Sequence, residues 1–358
     1  MLLEALPSVK RRPRRYTLPV QCAQLMPTID DVAREAGVGI GTVSRVINNS
    51  PFVSKDMRQR VLAAIDRLGY QPSRVARAFG RRQTHTLEVL VPVFLGTFFL
   101  EILRGIEEAL ADDDYTLLAR TIDTPEDRDR AFEACCSRGR ADGALLLWTT
   151  PTDTLLERLA AQPFPIVLAN VVDPRLWSVG VDHDAAARAA VEYCARIGHR
   201  RIALVDRRLD VFESASEGIC GQGYRDAMHA IGLEVRDDYE RIAELSQAGG
   251  ARTLETMMEL SEPPTAVVVA SEAQAIGAFL AARDRGWQVP AELSIVGYSD
   301  SPYAAYLGLT TIDVPLRDIG REATRVLLGA IAEPNAAPQT VFQPSRLVVR
   351  RTCGARRD

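Results

Sequence analysis

Apolar residues near the start of the chain recur at helical spacing in two short runs. The first run, residues 29–36, follows Thr28, a favourable N-cap residue, and precedes Gly37, so we predict a helix between them. The second run turns three apolar side chains toward the first helix: Val43, Val46 and Ile47. Two short helices joined by so tight a turn predict a helix-turn-helix, a motif whose second helix lies in the major groove of DNA.

A third helix is predicted from Lys55 to Leu68, between Ser54 as N-cap and Gly69 as its end. The apolar side chains that we expect it to bury are Met57, Val61, Ile65 and Leu68. Tyr70 is expected to close the small core. Three helices of this size bury little apolar surface, which suits a module tethered to a larger body.

A dinucleotide-binding loop is an alternative for the glycine-rich turn, which contains Gly37, Gly39 and Gly41. That loop requires a preceding strand and a third glycine at the position of Thr42, and the sequence has neither. Two amphipathic helices by themselves occur in many folds, so this pattern alone leaves DNA binding open.

Short apolar runs alternate with helical patterns from Leu87 onward. The first series of strands includes LEVLVPVF, GALLLW and PIVLAN, and the second includes RRIALV, TAVVVA and LSIVGY. This alternation predicts parallel sheets with helices on both faces. Because one sheet of so many strands would be unusually wide, we predict two doubly wound lobes. Ligands of such folds bind at the carboxyl ends of the strands, here the cleft between the lobes.

The net charge of −4 hides an asymmetry along the 358 residues. Residues 1–85 carry 15 Lys and Arg against 6 Asp and Glu, whereas the remainder carries 28 against 41. A basic head on an acidic body favours a polyanion as the partner of the head alone, and a solvated basic face is the alternative.

The six cysteines and four histidines show no spacing typical of a zinc site and no CxxC. We therefore expect the protein to bind no metal and no cofactor and to reside in the reducing environment of the cytosol. No run approaches the roughly 20 apolar residues of a membrane span. Residues 1–26, rich in Arg and Pro, are predicted to be a disordered basic extension without the apolar core of an export signal. Whether Met26 is the natural start or the extension is an arm that contacts phosphates stays open.

Several longer motifs resemble the lactose-repressor (LacI/GalR) family of bacterial transcription regulators. In chain order they are GVGIGTVSRVINN, VSKDMRQRVLAAIDRLGYQPSRVARAF, GHRRIALV, PTAVVVASE, VPAELSIVGYSD and LTTIDVPLRDIG. Together they cover almost the whole chain after Met26 and are specific to that family.

The resemblance implies an N-terminal all-α helix-turn-helix domain with a hinge helix, followed by an α/β core like the periplasmic binding proteins. The expected boundaries are 27–72 for the DNA-binding domain, 73–84 for the hinge and 85–353 for the core of two doubly wound parallel-sheet lobes. Lobe one is expected at about 85–182 plus 303–333, and lobe two at about 183–302 plus 334–353. The chain would cross between them near Val181–Asp184, Asp300–Tyr303 and Glu333–Ala336.

The second helix is expected to read DNA with the residues on its outward side. Arg45 matches the family's guanine-reading arginine, and Ile40 and Gly41 stand at its two specificity positions. In the hinge, Phe79 replaces the leucine that wedges into the central base step, although packing against the core is an alternative. The full set of expected DNA contacts is Thr28, Ile40, Gly41, Thr42, Ser44, Arg45, Asn48, Ser54, Arg74, Ala76 and Phe79. The hydroxyl groups in this set can equally serve only as helix caps.

Carboxylates, amides and aromatic rings follow the predicted strands and suit a polyhydroxylated effector. The candidates are Phe94, Thr97, Phe98, Phe99, Trp148, Asn170, Cys220, Glu244, Ser271, Glu272 and Asp300. Four of these depart from the family pattern. Cys220 replaces a ligand-binding arginine, for which Arg225 is a substitute on another helical face; Asn170 replaces an aspartate; and Ser271-Glu272 replaces Asn-Asp. An unusual sugar, a non-sugar metabolite and no ligand at all remain open.

The sequence thus predicts an allosteric transcription regulator, a repressor that acts as a homodimer on a pseudo-palindromic operator. We expect it in the cytoplasm, associated with the nucleoid and controlled by a small-molecule effector. A solute-binding protein with the same two lobes would instead carry an export signal and no helix-turn-helix. An enzyme is disfavoured because no GxSxG, P-loop, HExxH or paired catalytic carboxylates appear.

Overall fold

The chain divides into two compact units, residues 1–82 and residues 83–358. The computed structural model describes residues 27–47, 50–70, 84–92, 96–135, 140–149, 151–162, 164–207 and 218–356, without the side chains of 96–98. The extension 1–26 and most of the expected hinge lie outside the described residues.

The first unit contains three helices, α1 (Ile29–Ala36), α2 (Ile40–Ile47) and α3 (Lys55–Leu68). Gly37 and Gly69 end α1 and α3 in the left-handed conformation that glycine adopts without strain, with φ of 61° and 62°. The buried residues of its core are Val32, Ala33, Ala36, Val43, Val46, Val61, Ala64 and Tyr70. The prediction that Met57 is buried was wrong. It is 43% exposed, because α3 contributes its fully buried contacts one turn later, through Val61 and Ala64.

The second unit contains two six-stranded sheets. Lobe one has the strand order β11-β5-β4-β3-β1-β2, and all its pairings are parallel. Its strands are β1 (Thr86–Pro92), β2 (Thr116–Ile122), β3 (Gly143–Leu147), β4 (Ile166–Ala169), β5 (Trp177–Gly180) and β11 (Thr340–Phe342). Its helices are α4 (Gly96–Ala109), α5 (Pro125–Cys135), α6 (Asp153–Ala160) and α12 (Leu316–Ala332).

Lobe two has the strand order β12-β10-β9-β8-β6-β7, parallel except for the antiparallel pair β10–β12. Its strands are β6 (Ile202–Asp206), β7 (Glu240–Ile242), β8 (Ala266–Val269), β9 (Ser294–Tyr298), β10 (Thr310–Asp313) and β12 (Arg346–Val348). Its helices are α7 (His183–Arg196), α8 (Gly221–Ala230), α9 (Gln247–Met258), α10 (Glu272–Asp284) and α11 (Pro302–Leu307). The predicted two-lobe class is confirmed.

The strand pairings correct two of the expected crossings. The first lies between Gly180, at the end of β5, and His183, at the start of α7. The second lies after β10, because this strand pairs with β9 in lobe two while α12 packs on α4 of lobe one. The third lies between β11 and β12, near residues 343–345. The expected positions at Asp300–Tyr303 and Glu333–Ala336 were therefore about ten residues too early.

Helices α4 and α12 approach each other closely at two glycines. A Cβ on Gly320 would lie 2.2 Å from the carbonyl oxygen of Ile102, and one on Gly105 would lie 1.9 Å from that of Arg317. Neither separation is sterically allowed, so this helix pair requires the absence of a side chain at both positions.

One cluster of buried apolar side chains extends through both lobes, and each lobe has a second cluster on the other face of its sheet. Both sheets, and with them the carboxyl ends of their strands, are therefore held in place by packed apolar side chains on either face. Within the described ranges, no helix combines the length and the apolar character that a bilayer crossing requires.

Candidate functional site

The N-terminus of α1 is held by a reciprocal cap. The Thr28 hydroxyl accepts the backbone N–H of Asp31, and the Asp31 carboxylate accepts the backbone N–H of Thr28 at 2.9 Å. The backbone hydrogen bond from Thr28 is the main reason that the pKa of Asp31 is lowered. Ser54 likewise caps α3 by accepting from the N–H of Met57. Both hydroxyls, expected to contact phosphate, thus have a structural role in the described unit.

Arg60, on α3, fixes the turn between α1 and α2. Its guanidinium donates to the carbonyl oxygen of Ala36 from Nε and Nη2, at 3.1 and 2.6 Å, and to that of Gly37 at 3.0 Å. These bonds satisfy carbonyl groups that the end of α1 leaves without helical partners. Sequence reasoning missed this contact because the residues lie more than twenty positions apart.

Helix α2 presents one face to the core and the other to solvent. Val43 and Val46 are buried, whereas Ile40, Gly41 and Arg45 are exposed. Thr42 and Ser44 are half-buried at the border between the faces. A Cβ on Gly41 would meet no atom within 4 Å, so the solvent-facing surface of α2 is open at this position. The remaining expected DNA contacts, Asn48, Arg74, Ala76 and Phe79, lie outside the described residues.

Strained backbone marks the carboxyl ends of three strands in the second unit. Among the described residues other than glycine, only four have positive φ, and three of these lie directly after β3, β4 and β9: Trp148 (52°), Asn170 (61°) and Ser299 (70°). Bulky residues rarely adopt this conformation, and such strain concentrates at functional sites. Two sheets thus direct strained residues toward the region between the lobes.

Lobe one contributes buried polar groups without partners. Asn170 is 1% exposed, and neither its amide nitrogen nor its amide oxygen has a hydrogen-bond partner among the described residues. The fully buried Thr149 hydroxyl is in the same situation. Each such group costs about 1–3 kcal/mol when its hydrogen bonding is lost. An amide and a hydroxyl of this kind suit the hydroxyl groups of a ligand.

Lobe two contributes Arg207, directly after β6. Its guanidinium carbon lies 5.8 Å from the centroid of the Trp148 ring, so this cation–π contact joins the two lobes. Its Nε donates to the carbonyl oxygen of Ala270 at 3.0 Å. Asp206 accepts the backbone N–H groups of Arg207 and Cys220 at 2.8 and 3.0 Å, which links the end of β6 to the start of α8.

Cys220 lies close to this arginine. The thiol is fully buried, and burial raises its pKa well above the usual value, with Asp206 adding to the rise and Arg207 opposing it. Cys220 is therefore a neutral thiol beside a buried guanidinium. Arg225, the expected substitute for the missing family arginine, instead pairs with Glu240 at 2.5 Å.

His183 and Tyr298 form a second polar contact on lobe two. The His183 Nδ1 and the Tyr298 hydroxyl are hydrogen-bonded, and their rings are 5.7 Å apart. Burial, with a smaller contribution from the Arg207 charge, lowers the pKa of His183 to about 3. The imidazole is therefore neutral at physiological pH.

We expect the His183 imidazole to remain uncharged from pH 8 down to about pH 4. Since its folded-state pKa lies below that of an exposed histidine, its contribution to stability is present above about pH 6.5 and lost as the pH falls toward 3. NMR titration of the imidazole resonances, assigned by loss of one signal in His183→Gln, measures this directly. A midpoint between pH 6 and 7 for that signal would contradict the assignment.

A groove of about 640 Å³ lies between α4 of lobe one and the strand ends of lobe two. Glu272 and Asp300 both line it, as expected from the sequence. Asp300 binds Arg350 through both carboxylate oxygens, at 2.6 and 2.8 Å. Glu272 accepts a hydrogen bond from the Ser301 hydroxyl, and burial raises the Glu272 pKa. The structure thus brings these two residues together, but Arg350 already engages the Asp300 carboxylate.

Other expected effector contacts have different surroundings. Glu244 is exposed, and its carboxylate is paired with Arg252 at 2.7 Å. Ser271 is buried, where it caps α10 and donates to the Gln274 side chain. Phe99 packs on the shared apolar core. Phe94 and the side chains of Thr97 and Phe98 lie outside the described residues.

Sequence reasoning missed four residues of the candidate site: Arg207, Thr149, His183 and Tyr298. Their signal in the sequence is position alone: Arg207 and Thr149 follow the predicted strands RRIALV and GALLLW almost directly. A charged side chain directly after a fully buried strand is the feature that identifies Arg207. Among the described residues, no group of three or more His, Cys, Asp or Glu side chains is arranged to hold a metal ion.

Comparison with known proteins agrees with this architecture. Residues 28–73 match the family described as bacterial regulatory proteins, lacI family, and residues 191–353 match a periplasmic binding protein-like domain. Catabolite control protein A of Priestia megaterium is 32% identical over 329 residues, covering 91% of this chain and 98% of the relative. The ribose operon repressor of Escherichia coli K12 is 32% identical over 320 residues, covering 88% and 96%.

Solved structures are similar to this chain over most of its length. The lac repressor dimer bound to operator and the anti-inducer ONPF has a TM-score of 0.79 at 26% identity, covering 92% of this chain and 99% of that one. The complex of the transcriptional regulator CelR with cellobiose has a TM-score of 0.66 at 27% identity, covering 91% and 99%. With relatives of this identity matched over nearly their full length, the chain belongs to the LacI family of bacterial transcription regulators, which are repressors rather than enzymes.

Proposed function

We propose that this regulator represses transcription as a homodimer on a pseudo-palindromic operator, with its occupancy set by a small molecule bound between the two lobes. Two recognition helices related by a two-fold axis would read two half-sites. The lac repressor, a dimer bound to operator, supports this assembly by similarity. Such a regulator acts on the chromosome, in the cytoplasm.

The exposed face of α2 supports the DNA-reading role. Arg45 is exposed on a helix whose opposite face is buried, so its guanidinium is available to a guanine. Ile40, 48% exposed, suits contact with a thymine methyl, while Gly41 offers no side chain to a base. Thr42, Ser44 and Asn48 would bind phosphates, and Phe79, with Arg74 and Ala76 beside it, would enter the minor groove from each hinge.

The strained backbone at the ends of the strands is the observation that supports an effector site. Trp148 and Asn170 adopt positive φ at adjacent strand ends, and the buried amide of Asn170 has no partner among the described residues. A sugar or related metabolite would supply the missing hydrogen bonds. Because Trp148 and Arg207 meet across the cleft, a ligand that engages either residue changes how the lobes are held. A coupling of about 1–3 kcal/mol is typical of allosteric proteins.

Selection of genomic fragments by the purified full-length chain tests this function. At moderate salt, in the presence of calf-thymus competitor, we expect enrichment of fragments that share an inverted repeat. Addition of small-molecule cell extract should change the retained fraction. Equal retention of all fragments, with and without extract, would overturn the proposal, because sequence-independent binding is mainly electrostatic and carries no preference.

A further inference from the structure

The groove between α4 of lobe one and the strand ends of lobe two has five carboxylates along its described walls. Four of them lie 2.5–2.9 Å from an arginine: Glu101 from Arg104, Asp300 from Arg350, Asp313 from Arg346, and Asp318 from Arg321. The fifth is Glu272, which forms no ion pair with a described residue. This carboxylate therefore differs from its four neighbours in lacking a counter-charge within the described chain.

Two arginines also line the groove, and each of them is paired with another carboxylate. Arg104 binds Glu101, one helical turn away on α4. Arg317, on α12, binds Glu108. Buried charges in proteins are normally paired, so the groove has room for a cation that the described residues do not supply.

The Glu272 carboxylate is held in place by a neutral donor. Glu272 is the first residue of α10 and only 5% exposed, and one of its oxygens accepts a hydrogen bond from the Ser301 hydroxyl. The Ser301 oxygen accepts the backbone N–H groups of Tyr303 and Ala304 at 3.0 and 3.3 Å, so its own proton is left for Glu272. The second Glu272 oxygen, Oε2, forms no hydrogen bond within the described part of the chain. Burial raises the pKa of Glu272, as expected for a carboxylate whose charge no cation offsets.

Apolar side chains of both lobes surround this carboxylate in the groove. Leu100 and Leu316 belong to helices of lobe one, whereas Pro302 and Tyr303 belong to α11 of lobe two. Leu100 and Tyr303 are 53% and 58% exposed, so their apolar surface is open to a ligand. The volume of about 640 Å³ is typical of a site for a small molecule, and an aromatic ring such as that of Tyr303 attracts cations.

We propose that this groove binds a small organic ammonium ion, whose charged nitrogen pairs with Glu272 and whose apolar body lies against Leu100 and Leu316. The effector site proposed above depends instead on Trp148 and Asn170, neither of which lines the groove, so this is a further ligand site. Because its ligand contacts both lobes at once, binding favours the arrangement of the lobes in which the groove is formed.

Calorimetric titration of the full chain at neutral pH with matched compounds tests the class of ligand. One set is phenethylamine, phenethyl alcohol and hydrocinnamate, and the other is hexylamine, hexanol and hexanoate. Within each set the apolar body is nearly constant while the charge of the head group changes from positive to neutral to negative. We expect at least one amine to bind at least tenfold more tightly than its alcohol and its acid. Equal or tighter binding of the alcohol or the acid, or no binding of either amine, would overturn the proposal.

Glu272→Gln tests the carboxylate. The amide keeps the size of the side chain and can still accept from Ser301, but it carries no charge. We expect the affinity for the amine to fall by ten- to a hundredfold, the range of a charged hydrogen bond, and the affinity for the alcohol to stay unchanged. Asp318→Asn is the matched control, because Asp318 lines the same groove but is already paired with Arg321, and it should bind the amine like the wild type.

Leu100→Ala tests the apolar wall. It removes an exposed side chain of lobe one without changing any charge, so it should weaken the amine and the alcohol by similar factors. Unchanged amine affinity in either Glu272→Gln or Leu100→Ala would contradict binding in this groove, and an equal loss in Asp318→Asn would contradict the specific role of Glu272.

The comparison of amine, alcohol and acid uses only wild-type protein, so it decides the class of ligand even where a variant fails to fold. None of these measurements involves DNA. Failure of the amines to bind would therefore overturn this inference and leave the proposed function standing, whereas absence of any operator preference would contradict the proposed function alone.

Discussion

Replacement of Arg45 by alanine should reduce affinity for the selected operator by ten- to a hundredfold while leaving most of the affinity for random duplex. Arg45 is exposed on α2, opposite the buried Val43 and Val46, so its removal disturbs no packing. A bidentate arginine–guanine pair provides about 1–3 kcal/mol of discrimination. Binding to random duplex depends on phosphate contacts and salt, which this substitution reduces by one charge only.

Fluorescence anisotropy with operator and scrambled duplexes, over a series of salt concentrations, measures both affinities. Arg67→Ala is a suitable control, because Arg67 is an exposed arginine of α3 that pairs with Glu35. We expect this control to retain the preference for operator. If Arg45→Ala weakens both duplexes equally, Arg45 does not read a base.

The second large effect concerns Gly320. Gly320→Ala should lower the stability of the second unit by about 3 kcal/mol or more, because the added methyl would meet the Ile102 carbonyl at 2.2 Å and force α4 and α12 apart. A loss of this size corresponds to a fall in Tm of roughly 6–12 °C. Thermal unfolding followed by circular dichroism measures this change.

Gly329→Ala is the control in the same helix. A Cβ at Gly329 meets no atom within 4 Å, so alanine there should stabilise α12 by about 1 kcal/mol through its helix propensity. The two substitutions are chemically identical and are expected to shift Tm in opposite directions. Equal shifts would show that the helices adjust to the extra methyl group.

Local signals predicted the first unit well. The caps at Thr28 and Ser54 and the glycines that end α1 and α3 act within a few residues, so the sequence displays them directly. The two-lobe class followed from alternating strands and helices, whose periodicity is equally local. Arg60 was not foreseen because its contact with α1 is set by tertiary packing.

The errors in the second unit concern strand pairings that the sequence does not display. Strands β11 and β12 have three residues each, too few for a recognisable alternation, and their partners are strands distant in sequence. The third crossing was misplaced as a result, and the second was misplaced because β10 pairs with β9 and so still belongs to lobe two. Arg207 was missed for a similar reason: its proximity to Trp148 depends on how two separate sheets meet.

The position of these short strands has a consequence for biosynthesis. Each sheet receives one edge strand from residues 340–348, and α12, which covers α4, precedes them only slightly. A nascent chain that has emerged through residue 300 therefore holds most strands of both sheets but exposes the apolar side of α4. Neither lobe has all its strands until residues 340–348 have emerged from the ribosome, so this body should complete its folding later than the three-helix unit, which needs only residues 27–70.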